Sequence, residues 1–391
     1  MKKDSSSLKI ALLSVHSCPL QKLGGEDTGG MSVYIRELAR ELGSRGHQVD
    51  IYTRAHDPRD QQVYYLDTNV RLIHIEAGRV EEINKLAIFP HARDLARNLN
   101  RFKRQNNIEY DVIHSHYWLS GLVGLWLHQW WNIPHVTMFH TLGAVKNTVG
   151  IGELEPELRI TSERDVAAGC DRVIAATKRE RNDLINYYGA SADNIAVIPC
   201  GINLDLFSPV DMQLARQRLG MNGHKVILYV GRINPLKGLD SLIEAVNHMN
   251  DADVRLVVVG GDHEQNHSDK LVDYAGQIDH SELPYYYSAA DVCVIPSHYE
   301  TFCLVALESL ACGTPLVATD VGGIGSLIKQ GENGHILEDN DPERMAHAVK
   351  TVLAGKYPKN AARDAVLKYD WSNIVDVMIA QYRSVSSKSL N

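Results

Sequence analysis

The chain has 391 residues, a length that favours two domains over one continuous hydrophobic core. Its hydrophobic fraction of 44% and charged fraction of 23% are typical of a globular protein and exclude an intrinsically disordered one. A net charge of −8 argues against partners that require a broad basic surface, so neither nucleic acid nor an anionic membrane is expected to bind.

The six cysteines are scattered, and no C-x-x-C pair occurs among them. This pattern predicts reduced thiols and a cytoplasmic location. The apolar run KIALLSV near the start is short and leads directly into a glycine-rich segment, so we interpret it as a strand. No apolar stretch approaches the roughly 18 residues of a membrane span, and we expect no stable membrane insertion. The oligomeric state is left open.

The first half of the chain alternates short apolar runs with segments of helical periodicity. The run at residues 9–15 is followed by a glycine-rich loop and then by MSVYIRELARELGSRGH, whose apolar residues recur at helical spacing. The runs VDIYTR, YDVIHSH, HVTMFHT, RVIAAT and IAVIPC repeat this pattern. We therefore predict an α/β domain with a parallel, doubly wound sheet over residues 1–200.

A break in the pattern lies at PCGINLDLFSP, residues 199–209, where glycine and proline interrupt the periodicity. A new series of apolar runs, KVILYVGR, RLVVVGG, DVCVIPS and PLVAT, predicts a second parallel sheet over residues 201–391. Two Rossmann-like domains of this kind face each other across a cleft at the carboxyl ends of their strands, where ligands bind. The tail from about Asp364, which contains Trp371, is expected to be helical and to cross back to the first domain.

The segment HYETFCLVALESLACGTPLVATDVGG carries two glutamates, Glu300 and Glu308. If a helix begins near Phe302, their spacing corresponds to roughly 12 Å, comparable with the distance from a donor sugar across its diphosphate to the ribose. The amides of Thr301, Phe302 and Cys303 would then lie at the helix N-terminus, where unpaired N–H groups favour anionic ligands. The alternative is a pair of solvated helix glutamates, and the flanking glycines favour a site.

Two cations follow a strand in VGRINPLKG. Arg232 and Lys237 are spaced to bracket a diphosphate leaving group, although an exposed basic loop is the alternative. In the first domain, Gly29 and Gly30 of GGEDTGGMS precede a helix and allow close approach of a ligand to the backbone. The loop lacks the G-x-G-x-x-G order, and VDIYTR ends in Arg54 where a dinucleotide-binding enzyme has an acidic residue. An oxidoreductase that uses a phosphorylated dinucleotide is the weaker alternative.

Taken together, these motifs resemble the retaining GT-B glycosyltransferases, a family that includes sucrose-phosphate synthases and the mycothiol-pathway N-acetylglucosaminyl-inositol-phosphate synthase. The resemblance covers nearly the whole chain and implies transfer of a hexosyl group from a nucleotide diphosphate sugar, with UDP the expected nucleotide. By this resemblance Glu300 contacts donor-sugar hydroxyls, Glu308 the ribose, Arg232 and Lys237 the diphosphate, and Gly30 the phosphates. It implies no cofactor and no metal.

The same resemblance assigns HSHYWLSG and MFHTLGAVKN to the acceptor, a phosphorylated sugar or polyol as in sucrose-6-phosphate or N-acetylglucosaminyl-inositol-phosphate synthesis. Four residues are assigned to the acceptor phosphate: Lys85, Tyr117, Thr141 and Arg159. Two cations and two hydroxyls match the charge and the oxygens of such a phosphate. His140 is expected near the reacting sugar. Ser32 stands at an acceptor position where the mycothiol-pathway enzymes carry Asn, and Cys303 stands where Gly is usual.

Other functions stay open at this point. A nucleotide-sugar epimerase on the same fold would need no acceptor, and a glycosyltransferase could use a non-phosphorylated one. A two-lobed solute-binding protein would normally need an export signal. His114 and His116 are interpreted as structural histidines and not as a metal pair. Retention of configuration follows from the resemblance alone, and the absence of an evident nucleophile in the sequence favours a front-face mechanism.

Overall fold

Two sheets flanked by helices make up the computed structural model, which describes residues 7–21, 29–221, 223–261 and 271–387. The strands of the first sheet are β1 (Lys9–Leu13), β2 (Gln48–Arg54), β3 (Val63–Asp67), β4 (Val70–Ile75), β5 (Val112–His116), β6 (His135–Met138), β7 (Arg172–Ala175) and β8 (Ile195–Val197). Those of the second sheet are β9 (Lys225–Val230), β10 (Val254–Val259), β11 (Val272–Gly276), β12 (Val292–Ile295), β13 (Leu316–Thr319) and β14 (Gly334–Leu337).

The helices of the first domain are α1 (Gly30–Ser44), α2 (Lys85–Ile88), α3 (Ala92–Gln105), α4 (Tyr117–Trp131), α5 (Gly143–Val149), α6 (Glu157–Gly169) and α7 (Lys178–Tyr188). Those that follow are α8 (Met212–Leu219), α9 (Leu239–Met249), α10 (Leu283–Ala289), α11 (Leu304–Ala311), α12 (Pro342–Ala354), α13 (Lys359–Asp364) and α14 (Trp371–Ser386). Among the helices so described, none is both long and apolar enough to cross a bilayer.

The strand order identifies where each sheet changes direction. The 8-stranded sheet runs β3-β4-β2-β1-β5-β6-β7-β8, and the 6-stranded sheet runs β11-β10-β9-β12-β13-β14. Pairing is parallel except between β3 and β4. The order reverses between β1 and β5 in the first sheet and between β9 and β12 in the second. In open α/β sheets ligands bind at these switch points, so the loops after these four strands are where a site is expected.

Hydrophobic burial explains why these segments form strands and helices. All the residues of β5 and of β12 are buried, as expected for parallel strands that are covered on both faces by helices. Helix α1 buries Tyr34, Ile35, Leu38 and Leu42 along one face, which holds it against the first sheet. Both predicted parallel sheets, and with them the predicted α/β architecture of two Rossmann-like domains, are confirmed.

Two chain segments connect the domains and pair with each other. The amide of Ile202 donates to the carbonyl of Tyr369 at 2.8 Å, and the amide of Trp371 donates to the carbonyl of Ile202 at 3.2 Å. Beside them, a Cβ on Gly201 would lie 2.3 Å from Cδ2 of Trp371, so only glycine fits there. The predicted boundary between residues 200 and 201 falls within this connection and stays a prediction.

Helix α14 lies against the first domain. Its Tyr382 hydroxyl is 2.7 Å from Nδ1 of His114 on β5, and the Trp371 ring meets the Tyr34 ring of α1 edge-on at 5.2 Å. At the surface, Arg45 forms an ion pair with Asp376 at 2.5 Å. The end of the chain is therefore bound to the start of the fold, and the segment beyond Asp364 is helical.

The oxidoreductase alternative required Arg54 to bind a phosphorylated dinucleotide, and the structure shows this side chain in another role. This side chain is only 4% exposed, and its guanidinium donates to the backbone carbonyls of Arg79 and Glu81. A guanidinium that is used to hold a neighbouring loop is not available to bind a nucleotide phosphate. Gly24 and Gly25 of the glycine-rich loop lie outside the described residues.

Candidate active site

The glycine-rich loop of the first domain and the cationic loop of the second face each other. A Cβ on Gly29 would lie 3.9 Å from Nε of Arg232, and one on Gly30 would lie 3.5 Å from Cδ1 of Leu304. Gly30 is the first residue of α1, and Leu304 is the first residue of α11. The N-termini of two helices, one from each domain, therefore approach each other across the cleft.

Glu300 and Lys237 are in direct contact. Nζ of Lys237 lies 2.6 Å from Oε1 of Glu300, and Oγ of Ser297 donates to the same oxygen at 2.8 Å. Lys237 ends a short 3-10 turn after β9, whereas Ser297 and Glu300 follow β12. The two strands at the switch point of the second sheet thus deliver a cation and a carboxylate to one place. Ser297 was not identified from the sequence.

The helix that carries Glu308 begins later than predicted. We expected a start near Phe302, but α11 starts at Leu304, with Cys303 as its N-cap residue. The cause is the backbone of Cys303, whose φ of +80° is a left-handed conformation that cannot extend the helix backwards. Glycine adopts such a φ without strain, which fits the expectation that glycine is usual at this position. The amides of Thr301 and Phe302 belong to the loop ahead of the helix.

The side chains of that loop have separate tasks. Phe302 is 5% exposed and packs edge-on against Tyr369, with 5.7 Å between ring centroids, so its side chain belongs to the core. The Thr301 hydroxyl donates to the carbonyl of His140 at 2.6 Å. Beside it, the amide of Leu142 donates to the hydroxyl of Tyr299 at 3.1 Å. Two hydrogen bonds therefore join the second domain to the segment after β6.

Glu308 is buried in the second domain and has a partner for each carboxylate oxygen. Nε2 of His280 lies 3.0 Å from Oε1, and the hydroxyl of Tyr287 donates to Oε2 at 2.7 Å. Neither partner was identified from the sequence, because a histidine and a tyrosine in a helical segment carry no spacing signal. Glu300 and Glu308 thus have different surroundings, with a lysine beside the first and a histidine and a tyrosine around the second.

Arg159 is the centre of the predicted acceptor site. It is 1% exposed, and its Nη2 donates to both the carbonyl and the hydroxyl of Thr141, each at 2.9 Å. Its Nε donates to Glu163 at 2.7 Å, and its guanidinium lies over the Tyr117 ring, 4.8 Å from the centroid. Arg159 is therefore in contact with two of the other three residues assigned to the acceptor phosphate, Thr141 and Tyr117.

A further carboxylate, which the sequence reasoning missed, lies in the same cluster. Oε1 of Glu155 is 2.9 Å from Nη1 of Arg159 and also pairs with Nζ of Lys146. The charge of Lys85 contributes to lowering the pKa of Lys146 and of His16, so Lys85 lies near both. The charge of Arg159 acts on His16 in the same direction. Three cations thus converge on this side of the cleft, and two carboxylates, Glu155 and Glu163, neutralise part of their charge.

His140 has a strained backbone and a neutral ring. Its φ is +62°, and desolvation of the ring lowers its pKa to about 3. Its Nε2 lies 3.0 Å from Nδ1 of His116, and the Tyr34 ring packs against it at 5.2 Å. A backbone strained in this way persists only where the surrounding structure holds it, and such positions cluster at functional sites. The ring can exchange hydrogen bonds with a ligand, but it carries no charge at neutral pH.

Ser32 lies on the first turn of α1 and is 1% exposed. Its hydroxyl is 2.7 Å from that of Ser17, in the loop after β1. This hydrogen bond joins the loop after β1 to the first turn of α1. His114 and His116 are fully buried on β5, and the contact of His114 with Tyr382 fits the structural role that was expected.

Two Rossmann-like domains, with carboxylates and cations collected at both switch points, define a glycosyltransferase of the GT-B class. The family models for glycosyl transferases group 1 and for glycosyltransferase family 4 match residues 211–366 and 28–206. The chain is 38% identical to the D-inositol 3-phosphate glycosyltransferase of Geodermatophilus obscurus, over 97% of this chain and 90% of the relative. This chain belongs to that glycosyltransferase family and is an enzyme of the same class.

Solved structures agree with this assignment. The sucrose-phosphate synthase of Thermosynechococcus elongatus is 32% identical and superposes with a TM-score of 0.90, over 97% of this chain and 100% of that one. HepE of Anabaena, solved with UDP and glucose, is 19% identical with a TM-score of 0.75, over 96% and 100% of the two chains. The second likeness shows the fold alone. The two lobes therefore belong to a transferase and not to a solute-binding protein.

Proposed function

We propose that this enzyme transfers a hexosyl group, with retention of configuration, from a UDP-sugar to a small phosphorylated sugar or polyol. The observation that carries the proposal is the buried cluster of Arg159, Thr141 and Tyr117, with Lys85 close to it. Lys85 and the hydroxyls of Tyr117 and Thr141 offer charge-assisted and neutral hydrogen bonds to a dianion, which a neutral acceptor would leave unused. Arg159, held by Thr141, Glu155 and Glu163, adds its charge. The names of the relatives support the same acceptor class, since they act on inositol 3-phosphate or make sucrose phosphate.

The donor side is argued from the second domain. Arg232 and Lys237 supply the positive charge that a departing diphosphate needs, and the N-terminus of α11 adds unpaired amides. Glu300 holds Lys237 in the free enzyme and is proposed to bind donor-sugar hydroxyls. Glu308 is proposed to bind the ribose. Two solved structures support UDP as the nucleotide. HepE was solved with UDP and glucose, and a trehalose-6-phosphate protein of Escherichia coli was solved with UDP-2-fluoro glucose.

The transfer step is proposed to take place on one face of the sugar. The bond from the anomeric carbon to the diphosphate oxygen breaks, the acceptor oxygen bonds to the same carbon, and the acceptor proton passes to the departing phosphate. Neutral His140 would orient the sugar by a hydrogen bond and not by charge. Because the protein supplies the cations, we propose that this step needs no metal. Covalent sugar trapped on the enzyme and detected by mass spectrometry would contradict this mechanism.

The scattered thiols support a cytoplasmic location for this enzyme. All six cysteines are free and buried. Free thiols persist where the compartment is reducing. The proposal is therefore that donor and acceptor are both drawn from cytoplasmic pools of nucleotide sugars and sugar phosphates.

Lys85→Ala tests the phosphate site directly. A lost charge-assisted hydrogen bond is worth about 1.5–3 kcal/mol, so kcat/KM for a phosphorylated acceptor should fall roughly 10- to 150-fold. The loss should vanish with the parent polyol, which makes the comparison a double-mutant cycle with the substrate phosphate as one partner. Lys178→Ala is the matched control, because Lys178 is exposed at the start of α7.

Arg159→Ala is a poorer choice because it would leave Glu163 buried without its cation, which is strongly destabilising. Tyr117→Phe is the second variant, and it should weaken only the phosphorylated acceptor. The phosphate site is wrong if Lys85→Ala slows phosphorylated and neutral acceptors alike, or if the wild type prefers neutral ones.

Incubation of the donor alone distinguishes an epimerase, which would form a new sugar detectable by NMR.

A further inference from the structure

A second cluster of reactive side chains lies at one edge of the first domain. Cys18 is in the loop after β1, His56 and Asp60 are in the segment after β2, and His74 is near the end of β4. Since β1, β2 and β4 are neighbours in the sheet, their carboxyl ends bring these side chains together. None of them is needed for the transfer step proposed above.

The side chains approach each other closely. Sγ of Cys18 is 3.6 Å from Nε2 of His74, and Oδ2 of Asp60 is 3.7 Å from the same nitrogen and 3.4 Å from Nδ1 of His56. One ligand atom each from Cys18, His56 and His74 lie within 4.8 Å of one another. In a tetrahedral zinc site, Zn–S of about 2.3 Å and Zn–N of about 2.05 Å separate sulfur from nitrogen by about 3.6 Å, and the lighter ligands by about 3.4 Å. The 3.6 Å between Cys18 and His74 and the 3.4 Å between Asp60 and His56 fit those values, and the 3.7 Å between Asp60 and His74 is slightly longer.

The protonation pattern of His74 is that of a metal ligand. Its Nδ1 lies 3.0 Å from the carbonyl of Gln61, which fixes the proton on that nitrogen. Its Nε2 therefore directs a lone pair towards Cys18 and Asp60. Histidine ligands of metals usually donate their other N–H to a carbonyl or carboxylate in this way.

Two atoms of the cluster are buried without a hydrogen-bond partner among the described residues, Nδ1 of His56 and Oδ2 of Asp60. Burying a polar atom without a hydrogen-bond partner costs free energy, and native proteins contain few such atoms. A cation between the four side chains would satisfy both atoms at once. A thiolate and a carboxylate would also balance the charge of a divalent ion, so that the buried site is neutral overall.

We propose that Cys18, His56 and His74 bind a structural Zn²⁺, and that the adjacent Asp60 carboxylate, which lies outside this three-residue group, turns to the ion as the fourth ligand. Thiolate and imidazole ligands in a tetrahedral arrangement select zinc among the common divalent ions. Binding releases the Cys18 thiol proton to solvent, because the thiolate is the ligand. The ion fastens the loop after β1 to β2 and β4. The same loop carries Ser17, which hydrogen-bonds to Ser32 on the acceptor side, so the metal holds one wall of the active site in position.

A redox-active thiol is a poorer interpretation of Cys18. It is only 3% exposed, whereas reactive cysteines are partly exposed. His56 and Asp60 are partly exposed, with 15% and 24% of their side chains accessible, which gives an ion a path into the cluster. The geometry thus combines a closed ligand set with a route of entry.

The test is zinc binding by the full-length chain, freed of any affinity tag and of metal by a chelator. Equilibrium dialysis against Zn²⁺, followed by elemental analysis, should give one ion per chain. Zinc should also raise the Tm of the wild type. In Cys18→Ser and His56→Gln the affinity should fall at least about tenfold. Cys170→Ala is the matched control, since Cys170 is an equally buried thiol outside the cluster and should leave binding unchanged.

Cobalt supplies an independent readout. Co²⁺ bound by a thiolate gives a charge-transfer band in the near ultraviolet, which the wild type and Cys170→Ala should show and Cys18→Ser should lack. Should Cys18→Ser fail to fold by circular dichroism, the partly exposed His56→Gln decides the question by its zinc affinity. A wild type that binds no stoichiometric zinc overturns the proposal. Unchanged zinc affinity in a folded His56→Gln or Cys18→Ser overturns it equally.

Discussion

Glu300 and Glu308 differ in their partners, and this difference predicts different kinetic defects. Glu300 forms an ion pair with Lys237, whereas Glu308 is bound by His280 and Tyr287. Glu300→Gln removes the charge that positions Lys237 beside the diphosphate, so we expect mainly a lower kcat. Glu308→Gln weakens ribose binding in the ground state and the transition state alike, so we expect mainly a higher donor KM.

Steady-state kinetics with the donor varied distinguish the two effects. Glu244→Gln is a suitable control because the Glu244 side chain is 61% exposed on α9. Both site variants should keep the wild-type circular dichroism spectrum, since glutamine has the same shape and retains one acceptor oxygen. Wild-type kinetics in both variants would remove Glu300 and Glu308 from the donor site.

At the scale of single residues, the sequence predicted side chains that belong to a recognisable spacing. Glu300, Lys237 and Arg159 were identified in this way or by resemblance. Glu155 was not, because a glutamate in GELEPELR looks like any surface acid until its ion pairs with Lys146 and Arg159 are known. Its burial depends on how α5 and α6 pack, which no local pattern encodes.

Among the elements, the strands of the two parallel sheets were predictable because covered parallel strands are continuous apolar runs. Four strands were missed. Strand β3 is a half-exposed antiparallel edge strand, β14 begins at a glycine and has only 4 residues, and polar residues interrupt the apolar runs of β4 (VRLIHI) and of the edge strand β11 (VDYAG). The start of α11 was predicted two residues too early. The left-handed φ of Cys303 causes this difference, and a cysteine gives no warning of it.

Helix α14 carries a prediction of its own. The Tyr382 hydroxyl is the partner of Nδ1 of His114, and both residues are completely buried. Tyr382→Phe leaves that nitrogen without a partner, which costs about 1–3 kcal/mol of unfolding free energy. Urea unfolding measures the loss, with Tyr65→Phe as control because Tyr65 is 79% exposed. Equal stability of the two variants would mean that α14 does not rest on the first domain through this contact.

For the molecule as a whole, the two switch points and the two connecting segments explain how one site arises from two domains. Each sheet delivers its loops to the same cleft, and Thr301 and Tyr299 hydrogen-bond across it to the segment after β6. The paired segments at Ile202 and Asp370 are the covalent connections about which the domains can turn. The pattern of strands predicted this architecture, but only the packing shows which loops meet.

The buried histidines make a prediction about the stability of the whole molecule. Burial lowers the pKa of four of them to about 3 from an ordinary value of 6.5: His16, His114, His135 and His140. Below pH 6.5 the unfolded chain binds protons at these positions and the folded protein does not, so stability falls as the pH falls from 6.5 towards 3. Glu180 acts in the opposite direction, because burial raises its pKa from 4.5 to about 8.

These histidines, together with His116, whose pKa burial also lowers, outnumber Glu180, so unfolding takes up protons. Each net proton changes the unfolding free energy by about 1.4 kcal/mol per pH unit. Urea unfolding between neutral pH and about pH 5 should therefore show a steep loss of stability. His135→Gln should reduce the slope by one proton, whatever it costs in absolute stability, because its ring is fully buried between Ser115 and Gly124. His347→Gln, at an exposed position on α12, should leave the slope unchanged. A free energy of unfolding that is constant over this range, or equal slopes for His135→Gln and the wild type, would show that these histidines are not held neutral by burial.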